Sequence, residues 1–161
     1  MWWIVAVVGA VALLATYVTW TASRVDRLHA RAAASQSALD AHLTRRAAAA
    51  TGLADTVQSP DLREAARAAL EAFPDDRELA ENDLTRALRA IPRQSAGPAF
   101  DEVVSVSRRL ALSRQVHNDL VRDALALRRR RLVRLLRLSR RHPEPRYFDV
   151  DEPILGERTS V

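Results

Sequence analysis

The sequence predicts an all-α protein in which an N-terminal single transmembrane helix continues into an antiparallel three- to four-helix bundle. Three observations carry this expectation. The 161-residue chain is rich in Ala, Leu and Arg and holds only four Gly and 5% aromatic residues, a composition that favours helix over sheet. An uncharged apolar run extends from Trp2 to Trp20. Beyond it, apolar residues recur at steps of three and four through two long stretches without proline, which is the period of a helix face.

The first element is the run WWIVAVVGAVALLATYVTW. At ~1.5 Å per residue it spans roughly 28 Å, close to the ~30 Å hydrocarbon core of a bilayer. Trp2 and Trp3 stand at one end, with Tyr17 and Trp20 at the other, where amphipathic rings rest at headgroup level. A cleaved signal peptide would need a basic segment before a shorter apolar core. Only Met1 precedes the run, and Thr21-Ala22-Ser23 is a poor cleavage site. A buried core helix would need covering on all sides by a small domain. Arg24, Arg27 and Arg31 follow the run and no basic side chain precedes it. By the positive-inside rule the N-terminus lies outside the cell membrane and the rest is cytoplasmic. The expected organisation is a transmembrane anchor over 1–22, a cytoplasmic helical bundle over 23–141 and a flexible C-terminal tail over 142–161.

The first helix continues as one rod to Val57. Leu39, Leu43, Ala47, Ala50, Ala54 and Val57 make a narrow apolar face, and Gly52 costs about 1 kcal/mol relative to Ala without breaking it. A second helix is expected from about Pro60 to Phe73, with Ser59 as N-cap and Pro60 in the first turn. Pro74, Asp75 and Asp76 stop it and start a third, which reaches about Ile91 before Pro92. PRQSAGPA forms the loop. A fourth helix is expected from about Asp101 to Arg141, with a seam of Val103, Val106, Leu110, Ser113, His117, Leu120, Ala124 and Leu127. In the remainder, Tyr147 and Phe148 are the docking candidates.

Toward the end of the fourth helix, Arg130, Arg134, Arg137 and Arg141 stack into one stripe at 100° per residue. Val121, Leu125, Leu132, Leu135 and Leu136 gather roughly opposite. If the four helices alternate up and down, this stripe returns toward the membrane, where each basic residue is worth about 1 kcal/mol against an acidic leaflet. If the second and third helices act as one broken helix, the stripe points away and faces an acidic protein or nucleic acid. A solvated outer face is the plain alternative.

Sequence signals of catalysis are missing. The absence of Cys excludes disulfides, thiolate metal sites and cysteine nucleophiles, and no Walker loop, GxGxxG, GxSxG or HExxH occurs. All 25 basic residues are Arg, against 20 acidic residues, for a formal charge of +5. Asp26 and His29 are one turn apart, but a di-metal site needs a second such element. His117, Asn118 and Asp119 form the most polar cluster on the seam, without an accompanying nucleophile. No catalytic, cofactor-binding or metal residue is assigned, and no cofactor is expected.

Several segments together resemble the LemA family of bacterial membrane-anchored helical proteins. They cover about residues 1–60, 80–91 and 108–124, with PEPRYFDVDEP similar to the family's ending. The most specific pieces are Arg45-Arg46, Glu81-Asn82 with Leu84 and Leu88, and Arg114 with His117-Asn118-Asp119 and Val121. The Arg-Leu helix departs from the family's usual Asn and Phe-Pro element, and RQSAGPAF lacks its usual aromatic-acidic stretch, which makes the chain a divergent, actinobacterial-type member. The resemblance implies an antiparallel helical bundle on one membrane anchor, with no established catalytic activity. The expected role is a non-enzymatic scaffold or interaction module at the cytoplasmic membrane face, with the bilayer, an acidic lipid or a protein as partner and a homo-oligomer left open. The alternative is a membrane-tethered binder of nucleic acid through the arginine stripe, which supplies phosphate affinity without base readout.

Overall fold

A computed structural model describes residues 1–92, 97–129 and 144–150. These are all-helical, with no strand among the described residues: α1 (Trp2–Val57), α2 (Pro60–Glu71), α3 (Arg77–Ala90) and α4 (Gly97–Arg128). The expected extension of the fourth helix to Arg141 falls on residues 130–143, outside the described residues.

Every residue of α1 is compatible with a helix, and its threonines serve themselves. Thr16, Thr19 and Thr21 donate to the carbonyls of Ala12, Ala15 and Tyr17 at 2.9, 2.9 and 2.8 Å, so each hydroxyl is satisfied within its own helix. The N-terminal part of α1 is long and apolar enough to cross a membrane, and residues 2–17 are all exposed.

The ends of the helices follow from local chemistry. Gln58 takes a left-handed conformation (φ 51°), and the Ser59 amide donates to the Ala54 carbonyl at 3.0 Å. This is the six-to-one bond of a Schellman cap. The Ser59 hydroxyl accepts from the Leu62 amide at 3.3 Å and caps α2, so a single residue closes α1 and opens α2. Pro74 stops the next helix, and a turn closed by Asp76 N–H to the Phe73 carbonyl (3.0 Å) leads into α3. Ile91 is extended (φ −79°, ψ 123°), as the residue before Pro92 must be. Gly97, at φ +49°, supplies the left-handed entry to α4.

The chain divides into two compact units, one of residues 1–34 and 119–146 and the other of 35–118 and 147–161. In the first, Val25 and Leu127 form a small core with Leu28 against it. The second holds two cores. The larger joins Ala47, Ala50, Leu53 and Ala54 of α1 to Leu62, Ala66 and Ala69 of α2, Leu84 and Leu88 of α3, and Phe100, Val103 and Val104 of α4. Alanine at most of the α1 and α2 positions keeps those faces of the core small, and leucines from α3 supply much of its volume. The smaller core is Leu39, Leu43, Leu110, Phe148 and Val150.

The α4 seam differs from the sequence expectation. Val103, Ser107, Leu110, His117, Val121, Ala124 and Leu127 are buried, whereas Val106, Ser113 and Leu120 are partly exposed. The stripe is shifted by one residue at alternate steps. Apolarity favours Val106 over Ser107, yet Ser107 is turned inward because a buried arginine needs an acceptor there.

Candidate functional site

The most heavily buried polar group in the second unit is built around Arg46. It lies on the inward face of α1, in phase with Leu39, Leu43, Ala50 and Leu53, and its side chain is fully buried. Its guanidinium fork is divided between α3 and α4. Nη1 donates to Glu81 Oε2 of α3 at 2.8 Å, Nη2 to Thr85 Oγ1 of α3 at 2.8 Å, and Nε to Ser107 Oγ of α4 at 3.2 Å. The Thr85 hydroxyl in turn donates to the Glu81 carbonyl at 2.8 Å. Glu81 Oε1 is buried without a hydrogen-bond partner. Burial holds the Arg46 pKa below its ordinary value against the opposing pull of Glu81. Burial likewise pushes the Glu81 carboxyl above the usual carboxylate range, with Arg46 opposing. Both directions say that desolvation outweighs mutual attraction.

The second arrangement seats residues 147–150. Asn118 uses both ends of its amide on one residue: its Oδ1 accepts from Phe148 N–H at 3.0 Å and its Nδ2 donates to the Phe148 carbonyl at 3.1 Å. Arg114 Nη1 donates to the Val150 carbonyl at 2.7 Å, and Glu78 Oε1 accepts from Asp149 N–H at 3.0 Å. Phe148 and Val150 are buried beside Leu39, Leu43 and Leu110, while Tyr147 and Asp149 are exposed. This is the two-residue alternation of an extended strand, and of the two aromatic docking candidates only Phe148 enters the core.

The residues singled out in the sequence occupy separate places. His117 is buried and its Nδ1 lies 3.0 Å from Ser35 Oγ. Asn118 holds Phe148, and Asp119 pairs with Arg122 at 3.0 Å on an exposed surface. The three polar seam residues therefore serve three partners and do not converge. His29 Nδ1 faces the Val25 carbonyl at 2.9 Å and Nε2 faces Arg128 at 3.5 Å. A carbonyl only accepts and a guanidinium only donates, so these two contacts match the tautomer with hydrogen on Nδ1. Among the described residues no group of three or more metal-ligating side chains is found. Trp2, Trp3, Tyr17 and Trp20 are all exposed. The rings of Tyr17 and Trp20 are 6.4 Å apart, and the Arg24 guanidinium lies 5.8 Å from the Trp20 centroid, within cation–π range. Arg130, Arg134, Arg137 and Arg141 lie outside the described residues.

Thr85, Ser107 and Glu78 carry no recognisable motif in the sequence. Their signal is weak: Ser107 follows Val103 by four and precedes Leu110 by three, a spacing visible only if a polar residue is admitted to a core stripe. No protein-family model, curated protein or solved structure matches the chain. Chemically, the Arg46 cluster can fix the register of three helices. The Asn118 arrangement can hold an extended main chain.

Proposed function

We propose that this protein is a LemA-like, single-pass membrane protein whose helical part is a non-catalytic scaffold or interaction module at the cytoplasmic face. Residues 1–22 span the bilayer with the N-terminus outside, and 23–141 form an antiparallel bundle in the cytoplasm. The carrying observation is the exposure of the uncharged 2–17 stretch of α1. So large a contiguous apolar surface is costly in water and ordinary in lipid. Thr16 and Thr19 suit the same setting, since their hydroxyls bond to their own helix and bring no unsatisfied polar group into hydrocarbon. Arg24, Arg27 and Arg31 are exposed just beyond, consistent with a cytoplasmic flank.

The absence of cysteine makes the topology directly measurable. A Thr56→Cys variant is expected to stay with membranes through alkaline extraction and to react with an impermeant maleimide only after the cells are opened. Release by alkali would refute the span, and labelling of intact cells would reverse the orientation. For the arginine stripe, the reading expects binding of the protein to liposomes to strengthen with anionic lipid and to lose that increment in R134E/R137E. A lipid-independent result would turn the stripe toward a protein partner.

A further inference from the structure

The seat occupied by residues 147–150 has the character of a recognition groove. Among the described residues, the contacts made by Asn118, Arg114 and Glu78 all go to main-chain atoms of the segment: Phe148 N–H and carbonyl, Asp149 N–H and the Val150 carbonyl. The Asn118 amide reproduces with a side chain what a neighbouring strand does with its backbone, exchanging a donor and an acceptor with one residue. Side-chain selection is confined to Phe148 and Val150, packed on Leu39, Leu43 and Leu110. Main-chain bonds for affinity and pockets for alternate side chains for specificity are the elements of extended-peptide recognition. The apolar cluster beneath the segment is also distinct from the larger core of α1 to α4. Lifting the segment therefore uncovers one small cluster without opening the main one.

We propose that this groove is a docking site for an extended peptide of a partner protein carrying an aromatic residue followed, two positions later, by a β-branched aliphatic one. The chain's own residues 147–150 are its resident intramolecular ligand. A partner binds by displacing that resident, and its intervening residue is free to vary because Asp149 faces solvent. This gives the interaction-module reading a ligand class and rests on that part of it. It does not depend on the membrane span, so topology experiments and the peptide experiment fail separately.

The test uses the full chain in detergent micelles and a fluorescent peptide of residues 145–150, followed by anisotropy. In F148A/V150A the resident is weakened and the groove side chains are intact. This variant is expected to bind the peptide more tightly than wild type, by about tenfold for a wild-type groove open in about one chain in ten. Adding R114A and N118A is expected to abolish binding with helicity unchanged by circular dichroism, and a peptide with Ala in place of Phe and Val is expected not to bind. Failure of F148A/V150A to bind while its helicity is retained would overturn the proposal, as would equal binding to all variants. A wild-type dimer that becomes monomeric in F148A/V150A would make a second copy the occupant and would overturn it as well.

Discussion

At Arg46 one side chain reaches both neighbouring helices, and its removal has a defined cost. In R46A the Glu81 carboxylate stays buried without its cation, and a loss of about 3–5 kcal/mol in urea unfolding is expected. R46M/E81L, which removes both charges and keeps volume, is expected to recover most of that loss, because burial outweighs attraction for both partners. The pH dependence follows from the same imbalance. Glu81 has a folded pKa above its unfolded one, so the folded state binds more protons between the two values, and stability falls as pH rises through that interval. Relative to E81Q, which does not titrate there, wild type is expected to be most stable at acid pH and to lose that margin above the ordinary carboxylate range. A margin that grows with pH would show the ion pair to dominate instead. In the sequence Arg46 was visible only as part of a family-like Arg-Arg pair. Hydrophobic periodicity has no place for an arginine inside a stripe, and so gives no sign of Ser107, which is buried against that arginine.

Elements were more legible than contacts. Ser59, Pro60, Pro74 and Pro92 act through their own backbone geometry, so the boundaries of α2 and α3 lie within about two residues of where those residues place them. The left-handed Gln58 is the exception: glycine would announce this cap, and glutamine conceals it. The docking of 147–150 was legible only in its aromatic residues, because the clamp acts on main-chain atoms and leaves no pattern of its own. Hydrogen exchange can isolate the clamp. The amides of Phe148 and Asp149 are expected to be protected in wild type and to exchange rapidly in N118A, with α2 and α3 unchanged. Simultaneous loss of protection in α2 and α3 would mean that the segment is integral to the larger core.

For the molecule as a whole, the proposed anchor makes membrane retention separable from folding of the 35–118 region. Val11→Arg together with Leu14→Arg places two charges at the middle of the span, at about 2.5–3.5 kcal/mol each by insertion measurements. The variant is expected to move to the soluble fraction while the unfolding midpoint of the helical part is unchanged. Retention in the membrane would assign attachment to residues beyond the run. Synthesis also proceeds in one direction, which bears on the Phe148 seat. Asn118 leaves the ribosome thirty residues before Phe148, an interval on the order of seconds at ~5–20 residues per second. During that time Leu39, Leu43 and Leu110 already exist while the residues that cover them do not. Each nascent chain therefore passes through a brief period with its recognition surface open, when a partner competes with a covering segment that has yet to be made.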